Sequence, residues 1–106
     1  MSERRTIWSI QGKFALGDCV ITPGALSALH ASGQSPEHFL RLHAAGSWGD
    51  LPAEDRQANE AAIAHEDNPE RRDRVFSAYV TSAGQKLWVI TEHDRSVTTI
   101  LLPDEY

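Results

Sequence analysis

Three runs of β-branched and aromatic residues in the last third of the chain carry its clearest hydrophobic pattern. They span 75–81, 86–91 and 97–102, and valine, isoleucine, threonine and aromatic residues of this kind favour strands. Polar segments at 82–85 and 92–96 separate them and are typical of hairpin turns. The pattern therefore predicts a three-stranded antiparallel meander at the end of the chain.

Two shorter β-type runs lie near the start of the chain. In the segment 6–10, Thr6, Trp8 and Ile10 fall on one side of an extended backbone, and a second apolar run spans 18–22. The alternation predicts two short strands before the first helix, with Trp8 contributing to the core.

Helix start signals fill the middle of the chain. A capping Thr22 or Ser35 directly before a proline begins each of the first two predicted helices. A third helix, rich in alanine and charged residues, is predicted to begin with Asp50 as its N-cap and to fade near 67–69.

The order of these elements predicts a single α+β domain over residues 1–106. It has short N-terminal strands, two to three helices and a C-terminal three-stranded antiparallel meander, with helices packed on one side of an antiparallel sheet. The predicted core residues lie on the inner stripes of these elements: Leu26, Leu29, Phe39, Leu42, Trp88, Val89 and Ile100.

Composition narrows the class of protein. Hydrophobic residues make up 41% and charged residues 24%, which excludes a disordered chain, a collagen-like chain and a disulfide scaffold. Lysine and arginine number 10 against 15 acidic residues, a net charge of -5. Direct nucleic-acid binding is therefore not expected, because no basic excess is present to displace counterions.

Cysteine use and hydropathy indicate the compartment. Cys19 has no partner for an internal disulfide, which fits a reducing environment, and its apolar surroundings predict a small buried side chain. The start of the chain does not resemble a signal peptide, and no apolar run approaches the length of a membrane span. We expect a cytoplasmic protein with no membrane association.

Several catalytic and metal-binding motifs are missing from the sequence. It contains no Walker loop, GxGxxG, GxSxG or HExxH motif, and a single cysteine cannot build a zinc finger. His38 and His43 are five positions apart on one predicted helix and point about 140° apart, so they cannot share a metal. We expect no catalytic constellation, metal or cofactor.

The turn at Trp48, Gly49 and Asp50 is the first candidate binding element. It can be structural, with Trp48 packing before the helix and Asp50 capping it, or it can present an aromatic ring beside a carboxylate to a partner. Asn59 lies in mid-helix, where asparagine has poor propensity, so it either bonds a neighbouring loop or belongs to a site.

The densest polar cluster is the segment Glu92, His93, Asp94 and Arg95, the second candidate binding element. As a simple hairpin turn, Asp94 bonds its own backbone and Arg95 pairs with Glu92. As a functional loop, His93 beside Asp94 and Arg95 offers acid–base chemistry.

Three segments carry a resemblance to a known family. They are LGDCVITPGAL at 16–26, WGDL at 48–51 with Asn59 downstream, and LWVITEHDRSVTTILLP at 87–103. With them the chain resembles small uncharacterised bacterial proteins borne on plasmids, integrative elements and prophages, often called plasmid-related. The resemblance covers 13–106 and implies a mobile-element context; it implies no established activity and no catalytic residues.

Two functions from different classes follow. The first is a non-enzymatic accessory protein of a mobile element that binds a protein with a basic surface; its sharper form is an inhibitor of a host defence system. The alternative is a small toxin-like ribonuclease of the helices-plus-meander kind. A basic cleft lined by Arg71, Arg72, Arg74 and Arg95 would favour the ribonuclease.

Overall fold

The computed structural model describes Ile10 and residues 12–106, and it confirms the α+β class. Most of the predicted strand at 6–10, including Trp8, lies outside the described residues. The elements in chain order are β1 (Asp18–Ile21), α1 (Pro23–Ser32), α2 (Pro36–Ala44), α3 (Ala53–Ala64), β2 (Val75–Val80), β3 (Lys86–Thr91), β4 (Val97–Leu101) and a 3₁₀ turn (Pro103–Glu105).

The four strands form one sheet in the order β1-β4-β3-β2. The pairs β2–β3 and β3–β4 are antiparallel, which confirms the predicted meander. Strand β1, however, runs parallel to β4, with Asp18 opposite Val97 and Ile21 opposite Ile100. The sheet is therefore mixed, and the expectation of a purely antiparallel sheet was wrong. The apolar pattern of β1 specifies an extended segment but does not specify its distant partner.

Side-chain caps and prolines explain where the first two helices begin. The Thr22 hydroxyl accepts from Ala25 N at 3.3 Å, and the Ser35 hydroxyl accepts from His38 N at 3.3 Å. Each cap precedes a proline, whose missing N–H costs nothing in the first turn. Helix α3 differs from its prediction, because Pro52 rather than Asp50 occupies its N-cap and no side chain caps it.

Strand alternation divides the sheet into an inner face, covered by helices, and an outer face. In β3, Leu87 and Val89 are buried on the inner face, and the half-buried Trp88 points to the opposite side. Val89 and Ile100 are core residues as predicted, whereas placing Trp88 in the same core was wrong. Successive strand residues cannot share one layer.

Helix packing corrects the other core predictions. Leu29 and Phe39 are buried as predicted, and Leu42 is only half-buried. Helix α1 turns Ala25 and Leu29, four residues apart, towards the sheet, so the adjacent Leu26 is 40% exposed. Within the part of the chain that is described, no helix is both long and apolar enough to cross a bilayer.

Candidate functional site

A concave surface on the outer face of the sheet forms the outer-face groove, with a volume of about 320 Å³. It lies between the sheet, helix α3, the segment before β2 and the C-terminus. The sheet contributes Phe76, Trp88 and Ile90, and the surrounding segments contribute Asp55, Asn59, Asp73, Arg74 and Tyr106.

Aromatic rings in edge contact run along the groove. The rings of Phe76 and Trp88 meet at 89° with centroids 5.1 Å apart, and those of Trp88 and Tyr106 meet at 70° and 5.7 Å. Phe76 and Trp88 share the outer face because Phe76 pairs with Ile90 and Ala78 with Trp88 across the two strands. Edge-to-face packing of this kind is an arrangement that aromatic pairs prefer.

Asn59 positions helix α3 beside the groove. Its side-chain amide donates to Phe76 O at 2.6 Å and accepts from Phe76 N at 3.0 Å. A residue of a neighbouring strand would form the same pair of bonds with the Phe76 backbone. The side chain is buried, so this pairing replaces water for both backbone groups. Asn59 therefore forms a structural bond and also lines the groove, and the bond places Asp55, one turn earlier on α3, at the groove.

A second anchor fixes the C-terminus. The Glu105 carboxylate accepts from the Thr22 hydroxyl, from Gly24 N at 3.0 Å and from Leu102 N at 2.8 Å. These hydrogen bonds, that from Thr22 first, hold the pKa of Glu105 below its usual range. The anchored turn places Tyr106 against Trp88, with 68% of Tyr106 still exposed.

The charges around the groove are mixed, with carboxylates in excess. Arg74 donates to the Tyr106 hydroxyl at 2.9 Å, and its guanidinium lies 5.9 Å from the centre of that ring. The bond to Tyr106 raises the pKa of Arg74, and the charges of Glu92 and Asp73 add to the effect. The Asp55 carboxylate lines the groove and forms no hydrogen bond or ion pair with any described residue, so it is open to a ligand.

The Trp48–Asp50 turn has a structural role at the edge of the sheet. Trp48 O accepts from Ala78 N at 3.1 Å, and Asp50 N donates to Ala78 O at 2.7 Å. Gly49 between them has a φ of +78°, and a Cβ there would lie 2.0 Å from Ala78 O. The turn therefore extends the sheet by one bridge and, with Asn59, covers the β2 edge.

Trp48 itself faces inward. The indole is 4% exposed, and its Nε1 donates to Glu60 Oε2 at 2.9 Å. It stacks on Phe14 at 6.2 Å between ring centroids. An aromatic side chain placed in this way stabilises the fold and presents little surface to a partner.

The predicted loop at 92–95 is a hairpin turn with a buried arginine. Arg95 is 6% exposed and has a φ of 60°, unusual for a residue other than glycine. Its guanidinium pairs with Glu66 at 2.8 Å and donates to Asp73 O at 2.7 Å and Glu92 O at 3.0 Å. The expected pairing with the Glu92 side chain was wrong, since Arg95 uses the Glu92 backbone instead.

The other members of this loop do not converge on one point. Asp94 Oδ1 accepts from Ser96 N at 3.0 Å and from the Ser96 hydroxyl at 2.6 Å, and these bonds lower the pKa of Asp94. His93 is exposed, and Glu92 is half-buried on the side of Arg74. The arrangement satisfies a turn, as the structural interpretation of the segment expects.

Beneath the inner face lies a hydrogen-bonded chain that the sequence pattern did not reveal. Thr98 donates to Leu16 O at 2.6 Å, so Thr91 must donate to Thr98, at 2.7 Å. Thr91 then accepts from His43 Nε2 at 2.9 Å, and His43 Nδ1 accepts from Ser77 at 2.5 Å. Every hydroxyl proton is used once, which fixes the neutral Nε2–H tautomer of His43.

His43 is therefore a buried neutral base. Burial, with a further contribution from the Arg95 charge, lowers its pKa to about 3. Its ring also contacts Phe14 and Trp48 at 5.2 Å and 5.9 Å between centroids. The Arg95 guanidinium lies 5.6 Å from the centre of the Phe14 ring. Trp48 and Arg95, one side chain from each predicted binding element, therefore contact the same buried ring.

Sequence signals for the groove were partial. Strand alternation could have placed Phe76 and Trp88 together, but the positions of Asp55 and Tyr106 depend on distant contacts.

Among the described residues, no three His, Cys, Asp or Glu side chains are grouped to hold a metal ion. Cys19 is half-buried, and burial raises the pKa of its thiol.

Comparison of the chain with protein-family models, with curated protein sequences and with solved structures gives no match in any of the three.

Proposed function

We propose that the protein acts by binding a partner protein that presents a basic surface, and that the outer-face groove is the contact. The observation that carries the proposal is the groove itself, where the Asp55 carboxylate lies open beside a row of aromatic rings. A hot spot needs an exposed aromatic anchor, a few charges and a firm frame. Tyr106 supplies the exposed aromatic anchor, Asp55 and Asp73 supply the charges, and the sheet supplies the frame.

The charge of the whole chain supports a basic partner. The net charge is -5, and both Asp55 and Asp73 at the groove are exposed. Complementary charge of this kind speeds encounter more than it adds affinity. Association should therefore slow as the salt concentration rises.

The arginines weigh against the ribonuclease alternative. Its expected basic cleft requires Arg71, Arg72, Arg74 and Arg95 to face a common space. Arg95 is buried against Glu66, and of the four only Arg74 lines the groove. A binding role fits this distribution better than a phosphate-binding one.

The mobile-element context remains part of the proposal and rests on the family resemblance. In that context the partner is a host protein whose basic surface normally contacts nucleic acid, and the accessory protein inhibits a host defence system by occupying that surface. Acidic competitors act through charge complementarity of this kind.

A photo-crosslinking experiment tests the binding proposal. The photoreactive amino acid p-benzoylphenylalanine replaces Tyr106 or, as a control outside the groove, Leu26, which is also an exposed apolar side chain. Each variant is expressed in a bacterial host and irradiated. We expect a discrete protein adduct from position 106 and not from position 26.

A charge-matched pair of variants locates the contact. Asp55→Lys and Glu54→Lys change the net charge equally on the same helix, but only Asp55 lines the groove. Asp55→Lys should abolish the adduct, and Glu54→Lys should retain it. Equal adducts from positions 106 and 26, or equal effects of the two lysine variants, would overturn the proposal.

A further inference from the structure

We propose that the outer-face groove receives an arginine side chain of the partner, whose guanidinium stacks on the aromatic row and donates to the Asp55 and Asp73 carboxylates. This inference rests on the proposed function, because it names the group that the partner inserts.

The size of the groove suits one long side chain. Its volume of about 320 Å³ lies at the lower end of the range of small-molecule sites. A dinucleotide or a large cofactor needs more enclosed space. A single arginine side chain inserted from a protein surface fits within it.

The free hydrogen-bonding groups of the acidic side chains accept but do not donate. The Asp55 carboxylate bonds to none of the described residues, and Asp73 uses one oxygen, Oδ1, to accept from Arg74 N at 2.8 Å. Carboxylates have no proton to donate near neutral pH. The ligand must therefore bring donors, and a positive charge strengthens each bond.

The protein already holds one guanidinium in such an environment. Arg95 lies 5.6 Å from the centre of the Phe14 ring and donates to Glu66 through Nε and Nη2 at 2.9 Å and 2.8 Å. An aromatic ring and a carboxylate together enclose its planar head. The groove lining offers the same two kinds of contact, with the aromatic rings of Phe76 and Trp88 and the open carboxylate of Asp55.

Planarity favours arginine over lysine. A guanidinium stacks on aromatic rings and forms two parallel bonds with a carboxylate, whereas an ammonium is a compact and strongly hydrated charge. Arg74 is already engaged at Tyr106, since it donates to the phenol oxygen at 2.9 Å. Asp55 and Asp73 outnumber Arg74 at the groove, so its lining keeps a net negative charge.

A titration with small probes tests the inference. Isotope-labelled protein is titrated with N-acetyl-arginine methylamide and followed by amide and indole NMR signals. The matched probes are the citrulline analogue, which is planar and neutral, and the lysine analogue. We expect the arginine probe to shift the signals of Trp88 and of Ala58, which also lines the groove. It should bind at least about tenfold more tightly than the citrulline analogue, since the lost bonds are charge-assisted.

Two conservative variants distinguish binding at the groove from a general effect of the net charge. Asp55→Asn should weaken the arginine probe by about tenfold, and Glu54→Gln should leave its affinity unchanged. Unchanged melting temperatures show that both variants are folded. Equal binding of arginine and citrulline, tighter binding of lysine, or equal effects of the two variants would each overturn the inference.

The probe titration and the crosslinking experiment can fail independently of each other. If position 106 crosslinks to a partner but the arginine probe does not bind, the groove is a contact and the arginine assignment is wrong. If the probe binds but position 106 yields no adduct, the site recognises guanidinium and the partner-binding proposal is wrong.

Discussion

The two faces of the sheet both place polar groups among aromatic rings, but they use them differently. On the inner face, His43, Ser77, Thr91 and Thr98 form a closed chain in which every hydroxyl proton is used. On the outer face, Asp55 stays open beside Trp88. The inner groups have no water to replace a lost partner, so they stabilise the fold, whereas the outer groups remain available for a ligand.

The comparison implies that substitutions on the two faces affect different measurements. Inner-face variants should change the free energy of unfolding. Outer-face variants should change binding and leave stability nearly constant.

The largest effect is expected from His43→Ala. The substitution leaves a cavity and removes the partners of Ser77 and Thr91, so we expect a loss of about 4 kcal/mol. Urea unfolding measures it, and His38→Ala, an exposed position on the same helix, is the control. A loss below about 1 kcal/mol at His43 would mean that the chain of hydroxyls is not essential to the inner face.

Arg95→Met should have the next largest effect. It removes the partner of Glu66 and the donor to Asp73 O, and breaking a buried pair costs about 3 kcal/mol. The control is Arg41→Met, which breaks an exposed pair with Glu37 on α2 and should cost under about 0.5 kcal/mol. Equal losses in the two variants would show that burial of Arg95 does not matter.

Acid should weaken the inner face through His43. Its pKa falls from 6.5 in the unfolded chain to about 3 in the folded protein. The unfolded chain therefore binds the proton first, and stability decreases as pH falls below 6.5. Between pH 7 and pH 4.5 this linkage amounts to roughly 2–3 kcal/mol.

The measurement compares the protein with His43→Leu by urea unfolding across that pH range. The variant lacks the titrating ring, so its stability should fall less by the amount that His43 contributes. Parallel pH profiles for the two proteins would contradict a depressed pKa at His43.

The smallest effect on stability is expected on the outer face. Tyr106→Ser removes an edge contact with Trp88 and the bond from Arg74, and it should cost about 0.5 kcal/mol because the side chain is 68% exposed. The same variant should weaken partner binding strongly. A loss of several kcal/mol, measured by thermal unfolding, would show that the aromatic row is part of the core.

Local signals predicted the elements well. Proline after Thr22 and Ser35 marked two helix starts, and the three β-rich runs became the meander. Capping and strand alternation act over a few residues, so they can be seen in the sequence. The third helix was less accurate at its start, since the Trp48–Asp50 turn pairs with Ala78 instead of capping the helix.

The residues of the candidate site were harder to predict from the sequence. Of the predicted binding residues, Asn59 lines the groove, and Trp48 and Arg95 are buried in the core. Polar clustering along the chain drew attention to the 92–95 turn, but neighbours in a tight turn point in different directions. Binding through that turn or through Asp50, His93 and Asp94 stays a prediction.

The sequence by itself determined the class of fold, the starts of the first two helices, the three strands of the meander and the alternation that separates Val89 from Trp88. Tertiary structure alone decided that β1 joins β4 in parallel, that His43 closes a buried chain and that Tyr106 reaches the outer face. Local preferences depend on bonds within a few residues. Pairings across 34 to 83 positions, such as His43 with Ser77 and Thr22 with Glu105, depend on which packed arrangement satisfies all buried groups together.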